Sequence, residues 1–453
     1  MPGAPPFSFA FLLRALIRRG ARLLHNGRDG LSFWRPAATL FGSSKTFREG
    51  EFALSEKRPL TVLCIATFEK GQEFLRECKR QGCRVLLVTM ERLRDADWPR
   101  ESVDEFFYLP EDYKPEDVTR GVSWMARTRE FDRVVPLDDF DVETAAALRE
   151  HLRIPGMGDT TARYFRDKLA MRVKARDHGV LVPEFVHALN NDRINEFTSR
   201  VAPPWVLKPR SEASAVGISK VASDGELWPL LERLGDRQPY YLLEQFIPGD
   251  IFHVDSIVSE REVVFTAVSK YGKPPMEVAH GGGVFMTRTI PRRSPDAQAL
   301  VSLDHELLRT LGLVRGVTHT EFIKGADGRF YFLETAARVG GANIAETVEA
   351  ATGVNLWREW ARIEVAGEHG HYELPPTRDE YAGIVISLAR QEWPDTSQYD
   401  DPEIVFRLHK RHHVGLLVAS HDPARVDQLL DSYVRRFLRD FSATLPATDR
   451  ATS

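Results

Sequence analysis

The chain has 453 residues, enough for two to four domains, and its 43% hydrophobic and 28% charged content is that of an ordinary globular protein. Its 61 basic and 65 acidic residues nearly balance, so no strong field for nucleic acid is indicated and no nucleic-acid partner is expected. The three cysteines, Cys64, Cys78 and Cys83, lack metal-binding spacing and fit a reducing cytoplasm. No run of 18 apolar residues occurs, which argues against a membrane-spanning helix.

Residues 1–58 form an N-terminal extension in which residues 7–24 are apolar but rich in arginine. Arg14, Arg18 and Arg22 fall on one helical face, and no acidic residue precedes Asp29. We interpret this segment as a helix that packs on the protein or is loosely ordered. Peripheral membrane contact through residues 7–24 is the alternative.

Residues 59–157 alternate between apolar strand-like runs and helical segments, a pattern that predicts a parallel sheet covered by helices. No Gly-x-Gly-x-x-Gly follows the first strand, so a classical dinucleotide site is not indicated. A single long helix is predicted over Thr160–His178, with Lys168 inside it. The predicted strands are 60–66, 84–89, 106–109 and 133–137, and the predicted helices are 71–81, 115–128 and 141–151.

After Pro183 the signals become those of antiparallel strands, and residues 371–446 predict a small α+β appendage before a tail at 447–453. The fold class expected for the whole chain is therefore α/β plus α+β. The stretch from Met276 to Phe285 contains three consecutive glycines, and we predict a mobile loop there that closes as a lid. Predicted strands are 205–208, 218–221, 240–245, 255–258, 262–269, 381–388, 404–408 and 414–419, with helices at 295–311, 343–356 and 423–437.

Two glutamates, Glu321 and Glu334, flank a short Asp327-Gly328 turn between apolar runs. Asp-Gly favours a type I′ hairpin turn, which would place Glu321 directly across from Glu334; a four-residue loop from Gly325 to Gly328 would make them diagonal neighbours. Facing carboxylates are unfavourable unless a cation lies between them, and Mg²⁺ carrying substrate phosphates fits that position. The alternative is a pair of carboxylates on a solvated face.

Lys208 ends an apolar strand, Trp205-Val-Leu-Lys208, and a loop of small residues that includes Ser214 and Gly217 follows it. A strand-end lysine beside such a loop offers a point charge and exposed backbone N–H groups, as phosphate binding needs. A lysine whose amine merely reaches solvent is the alternative.

A second strand, Tyr240 to Gln245, runs into a Pro-Gly turn. The exposed backbone of Gln245, Phe246 and Ile247 could read an adenine edge, and a carboxylate beyond the turn could hold ribose hydroxyls; a plain strand and turn is the alternative.

Arg338 lies four residues after Glu334, where it would hold a phosphate or carboxylate, or simply pair with Glu334. His319, two residues before Glu321, would orient a ligand or serve as a structural histidine.

In this order, the motifs resemble the ATP-grasp superfamily, closest to its carboxylate–amine ligases such as bacterial L-amino acid ligases, and more distantly biotin carboxylase and carbamoyl-phosphate synthase. The resemblance covers about residues 60–370. It implies a parallel pre-ATP-grasp domain at 59–157 and a two-lobed ATP-grasp domain at 158–370. The motif residues are Lys168, Lys208, Glu244 to Ile247, Glu321, Glu334 and Arg338.

The resemblance also implies roles for these residues, with ATP and Mg²⁺ as cofactors. Lys168 and Lys208 would contact the phosphates, Glu244 with residues 245–247 the adenine, and Asp250 the ribose. Glu321 and Glu334 would hold Mg²⁺, and Arg338 the acyl phosphate. Relatives often carry an asparagine two residues after the second glutamate, where this chain has Ala336; Asn343 is an alternative third ligand.

The function implied is a cytoplasmic, ATP- and Mg²⁺-dependent ligase that joins a small-molecule carboxylate to an amine through an acyl phosphate, releasing ADP and phosphate. The alternatives are an ATP-dependent carboxylase acting through carboxyphosphate and a non-catalytic ATP-binding protein. A homodimer is one option for the oligomeric state, because members of the family often dimerise.

Overall fold

The computed structural model describes residues 58–212, 216–281, 283–367 and 370–443. The predicted helix at residues 7–24, Ser214, Gly282 and the tail from residue 447 lie outside the described residues. Among the helices of the described ranges, none combines the length and apolar character that crossing a membrane requires.

The N-terminal domain is the predicted parallel sheet, with strands in the order β3-β2-β1-β4. The central strand β1 is buried along its whole length, because helices cover both faces of a sheet built by β-α-β connections. The strands are β1 (Thr61–Ala66), β2 (Arg84–Met90), β3 (Glu105–Leu109) and β4 (Arg133–Pro136), and the helices are α1 (Gln72–Arg80), α2 (Pro115–Met125) and α3 (Val142–Leu152).

The predicted helix over Thr160–His178 is wrong as a single element. Two helices are present, α4 (Asp159–Arg163) and α5 (Lys168–Asp177), with a break between them. The side chain of Asp167 accepts hydrogen bonds from the backbone N–H groups of Leu169 and Ala170, so it starts a new helix as its N-cap. Lys168 is therefore the first residue of α5 rather than an interior one.

A small antiparallel lobe follows, with strand order β5-β8-β6-β7 and its own hydrophobic core around Trp205, Leu207 and Leu243. Its strands are β5 (Phe185–His187), β6 (Trp205–Pro209), β7 (Ser219–Val221) and β8 (Tyr241–Gln245), and its helices are α6 (Asn191–Arg200) and α7 (Asp224–Leu234).

The large lobe contains an eight-stranded antiparallel sheet in the order β13-β12-β9-β10-β11-β14-β16-β15. Its last three strands come from the predicted C-terminal appendage, which therefore extends this sheet. The strands are β9 (Gly249–Ser259), β10 (Glu262–Tyr271), β11 (Phe285–Thr289), β12 (Gly316–Gly325), β13 (Phe330–Ala336), β14 (Tyr381–Leu388), β15 (Ile404–Arg407) and β16 (His413–Ser420).

The helices described in this lobe differ from the predicted ones at two places. They are α8 (Pro275–Gly281), α9 (Pro295–Leu311), α10 (Ile344–Thr352), α11 (Leu356–Ala366) and α12 (Pro423–Asp440). Helix α8 replaces most of the loop predicted from Met276, because Pro275 suits a first helical position. The helix predicted over 343–356 instead ends at Thr352, because Gly353 caps it with φ 79°, and α11 starts at Leu356.

The parallel domain and the large lobe share one hydrophobic core. It joins side chains of β1 and α1 to side chains of β9, β12 and α11, and the rings of Phe74 and Trp360 meet edge to face with centroids 5.4 Å apart. The fold class is confirmed. The domain boundaries at residues 157 and 370 stay predictions.

Candidate active site

The β12–β13 hairpin places Glu321 directly across from Glu334, as one of the two predicted turn geometries requires, but a different turn achieves it. The type I′ turn is wrong: Gly328 has φ 78°, whereas Asp327 is not among the described residues with positive φ. The N–H of Gly328 instead bonds to the carbonyl of Gly325, which closes a four-residue turn. A register shift between Glu321 and Phe322 then restores direct pairing of the glutamates.

Lys168 compensates the charge of this glutamate pair. Its ammonium lies 2.8 Å from Glu334 Oε2 and donates a hydrogen bond to the Glu212 carbonyl at 2.7 Å. Burial alone would raise the pKa of the Glu334 carboxyl, but Lys168 and Lys208 lower it to about 2. Glu334 is therefore ionised at neutral pH, and its side chain remains 36% exposed.

Glu321 has a different set of neighbours. Its Oε1 accepts a hydrogen bond from the Tyr271 hydroxyl at 2.9 Å and lies 3.6 Å from Nε2 of His319. Both contacts are made by the same carboxylate oxygen, Oε1.

The strand-end lysine of the small lobe belongs to a buried ionic cluster. Lys208 on β6 donates to one oxygen of Glu244 on β8, and Arg172 of α5 donates to the other oxygen at 3.1 Å. Burial lowers the pKa of Lys208 to about 8 although Glu244 opposes that change, and Arg172 with Lys208 holds the pKa of Glu244 below its usual value despite burial. Glu244 thus fixes the lysine in place, while the chain just after it faces the cavity.

A cavity of about 530 Å³ lies between the two lobes, a size suited to a small-molecule ligand. One wall is apolar, with Val206, Ile218 and Phe246 from the small lobe facing Ile323 and Leu333 from the large lobe. The other end is charged. Nine residues of the predicted site line this cavity: Lys168, Lys208, Glu244, Gln245, Phe246, Ile247, Glu321, Glu334 and Arg338.

Three further residues of the predicted site are not among the lining residues. Gly217 adopts φ 71° between Val216 and Ile218, which do line the cavity. The carboxylate of Asp250 pairs with Lys270 at 2.6 Å. Asn343 lies at the start of α10 with φ 57°, and its side chain bonds to Glu346. The fourth, Ser214, lies outside the described residues.

A buried polar network that the sequence did not predict lies behind Glu321. The carboxylate of Asp255 lies between two imidazoles, 2.7 Å from His253 Nδ1 and 2.8 Å from His319 Nδ1. Asp255 raises the pKa of His319 to about 9, although burial would lower it. The available signal was the alternation of His253 and Asp255 within an apolar strand, which puts both on one face beside β12.

A smaller recess of about 30 Å³ adjoins the charged end and connects it to the parallel domain. Arg338 and Arg166 line it together with Asp139, and Arg166 pairs with Asp139 at 2.8 Å. Asp139 of the parallel domain therefore lies next to the predicted site.

Comparison with known proteins agrees with this architecture, although no family model matches the chain. The chain is 24% identical over 325 residues to an L-arginine-specific L-amino acid ligase from Bacillus subtilis, covering 64% of this chain and 78% of that protein. It is also 24% identical over 223 residues to a D-alanine–D-alanine ligase from Neisseria gonorrhoeae, covering 46% of this chain and 70% of the ligase.

Solved structures show the same fold. An L-amino acid ligase from Bacillus licheniformis superposes with a TM-score of 0.68 at 20% identity, covering 86% of this chain and all of that one. An N5-carboxyaminoimidazole synthetase from Staphylococcus aureus, complexed with ADP, gives 0.63 at 14% identity, covering 83% and 96%. The chain therefore has the ATP-grasp fold, and its resemblance to the carboxylate–amine ligases of that superfamily is confirmed.

Proposed function

We propose that this protein is an ATP-dependent ligase that joins a carboxylate to an amine and releases ADP and phosphate. The observation that carries the proposal is the cavity between the lobes, where an apolar wall suited to a nucleobase meets a charged end with two lysines, two facing glutamates and an arginine. Both sequence relatives described above are ligases by name, one of L-amino acids and the other of two D-alanines. The likeness to biotin carboxylase is one of fold alone, which gives the carboxylase alternative less support.

In the proposed reaction a substrate carboxylate oxygen attacks the γ-phosphorus of ATP. A bond forms between that oxygen and phosphorus, the bond to the β-phosphate oxygen breaks, and ADP leaves. The amine nitrogen of the second substrate then attacks the acyl carbon, an amide bond forms, the amine loses its proton, and phosphate leaves. Such transfers depend on positioning and charge neutralisation, which fits a cavity whose described lining contains no serine or cysteine.

The residues would divide this work by position. Lys168 and Lys208 would neutralise the phosphates, residues 245–247 would meet the adenine, Asp250 the ribose, and Arg338 the acyl phosphate. Glu244 was expected to contact the adenine, but its two oxygens bond to Lys208 and Arg172, so in this scheme it would fix Lys208 instead. Ser214 and Gly217 would present backbone N–H groups to phosphate.

The donor set of the glutamate pair suits a hard cation. Two carboxylates face each other at the cavity, one of them ionised and close to a cationic amine, and Mg²⁺ takes such oxygen ligands. Glu321 and Glu334 would hold Mg²⁺, which supplies charge neutralisation on the triphosphate. Asn343 stays a candidate third ligand.

We further propose small-molecule substrates and a cytoplasmic location. A homodimer and peripheral membrane contact through residues 7–24 stay predictions.

The decisive assay measures nucleotide products from the purified chain across a panel of carboxylates and amines. ADP formation that requires both partners is expected; AMP formation would indicate adenylation, and ADP formation with bicarbonate and no amine would indicate carboxylation. Glu334→Gln should lower kcat at least 100-fold, because a neutral amide binds the cation more weakly. Glu262→Gln, an exposed change at the start of β10, should leave it unchanged. Equal rates for both variants would contradict the proposed role of Glu334.

A further inference from the structure

The strand β9 carries a fixed aspartate between two histidines. His253 is held at both ring nitrogens, by Asp255 at 2.7 Å and by Thr287 Oγ1 at 2.6 Å. The other oxygen of Asp255 is 2.8 Å from Nδ1 of His319. All four side chains belong to buried residues, so the network fixes the orientation of the His319 ring.

Within this network only His319 lines the cavity between the lobes. With Nδ1 engaged by Asp255, its Nε2 faces Glu321 and lies 3.6 Å from Glu321 Oε1. Two atoms that bind one ion at about 2.1 Å each are roughly 3 to 3.5 Å apart, so this separation is close to that of two ligands of a shared cation. The Tyr271 hydroxyl also approaches Nε2, at 3.2 Å.

The register of the hairpin adds an independent reason. His319 pairs across the strands with Ala336, the position two residues after Glu334 where the family resemblance leads one to expect an asparagine. The alanine methyl group offers no ligand atom. The backbone at Gly340 passes close to the His319 ring, and a Cβ atom there would lie 3.0 Å from His319 Nδ1. A glycine at this position therefore leaves room for the ring.

We propose that Nε2 of His319 is the third protein ligand of the cation held by Glu321 and Glu334. The proposal rests on the proposed function, because it extends the same site. An aspartate that accepts from one ring nitrogen while the other faces a metal is a recurrent arrangement, and it sets the tautomer and the ring orientation.

An imidazole ligand changes which metal the site prefers. Mg²⁺ favours oxygen ligands, whereas nitrogen donors strengthen the binding of first-row transition metals such as Mn²⁺. The proposal therefore predicts that the ratio of Mn²⁺ to Mg²⁺ affinity is larger in this chain than in a variant that lacks the histidine.

The direct test is pulsed EPR of Mn²⁺ bound to the full chain together with a non-hydrolysable ATP analogue. With ¹⁵N-labelled protein and unlabelled nucleotide, a directly coordinated protein nitrogen should give a ¹⁵N coupling that is lost in His319→Ala. The Mn²⁺ affinity of that variant should fall about tenfold or more. Tyr271→Phe removes the hydroxyl that contacts both His319 and Glu321 and should retain the coupling.

A second variant distinguishes His319 as a metal ligand from His319 as a residue that only positions Glu321. Adding Ala336→Asn to His319→Ala should restore Mg²⁺ binding and leave the ¹⁵N coupling of imidazole absent, because an amide oxygen would replace the ring nitrogen.

A wild-type complex that binds Mn²⁺ and nucleotide without a ¹⁵N coupling would overturn this inference and leave the proposed function intact. Failure of the wild-type chain to bind Mn²⁺ with nucleotide at all would overturn both.

Discussion

Burial makes the amine of Lys208 easier to deprotonate. Its ammonium is enclosed with Glu244 of the small lobe and Arg172 of α5, and its pKa falls to about 8. The amine is therefore charged at neutral pH and loses its charge as pH rises through 8. A group that binds phosphate through its charge then becomes sensitive to mild alkali.

We predict that ADP affinity decreases as pH rises above about 8. Isothermal titration between pH 6.5 and 9.5 would measure this, with Lys208→Arg as the matched control because a guanidinium stays charged throughout that range. The decrease should be absent or much smaller in the arginine variant. An identical decrease in both proteins would assign the effect to another group.

Asp304 is a second buried group whose pKa is displaced, and it lies away from the cavity. Its Oδ2 accepts from Ser256 at 2.6 Å, and burial raises the pKa of the carboxyl from 3.8 to about 7. Because the folded-state pKa is raised, its stabilising contribution is full below about pH 4 and is lost as pH rises to 7. The change over that window is on the order of 4 kcal/mol.

Asp304→Asn should therefore raise Tm at pH 8 and have little effect at pH 4.5. Thermal unfolding of both proteins at the two pH values would measure the difference. Equal changes in Tm at pH 4.5 and pH 8 would show that the Asp304 carboxyl is already ionised in the folded protein at low pH.

At the scale of elements, the β9–β10 hairpin has the turn type that the β12–β13 hairpin lacks. Glu260 and Arg261 adopt φ 48° and 71°, and Ser259 pairs with Glu262, which is the signature of a two-residue type I′ turn. Neither residue is glycine or asparagine, so the left-handed backbone is strained at both positions.

Arg261→Gly should raise the free energy of unfolding by roughly 1 kcal/mol, because glycine adopts this conformation without steric cost. Glu260 is left unchanged, since it pairs with the buried Arg315 at 2.7 Å. Arg293→Gly is the control: that residue is also exposed but lacks a positive φ, so glycine there should destabilise. Urea unfolding would measure the free energy of unfolding of both variants. If neither variant were more stable than the wild-type protein, the backbone at Arg261 would not be strained.

These two hairpins show how far the sequence could predict the elements. The pairing of Glu321 with Glu334 was predicted from a type I′ turn at Asp327-Gly328, and that turn does not form. The two glutamates still pair because a bulge between Glu321 and Phe322 shifts the register by one residue. Such a bulge depends on packing against β9 rather than on local turn chemistry. The break before Lys168 was missed because capping by Asp167 interrupts an otherwise helical pattern.

The sequence predicted those site residues that lie at a strand end or close to a turn, such as Lys208 and Glu334. It was not predictable where side chains meet across strands that are distant in sequence. His253 and Asp255 join His319 only because β9 lies between β10 and β12 in the sheet. Neighbours of that kind are set by topology, which periodicity within one strand does not reveal.

For the whole molecule, the cores divide the chain differently from its predicted domains. One core joins the parallel domain to the large lobe, although the parallel domain also has a core of its own, whereas the core of the small lobe is separate from both. An element with its own core can open on its own, while elements that share a core tend to lose their structure together. Movement of the small lobe relative to the rest would open the cavity between the lobes.

Trp360 of α11 tests this division, because it is 2% exposed and packs against Phe74 of the parallel domain. Trp360→Ala should cost about 3–5 kcal/mol and increase amide exchange in β1 as well as in β12, measured by hydrogen–deuterium exchange. Trp205→Ala, an equally buried tryptophan in the small-lobe core, should increase exchange in β6 and β8 without affecting β1. If Trp360→Ala altered exchange in α11 alone, the parallel domain would be stable independently of the large lobe, and the shared core would not couple them.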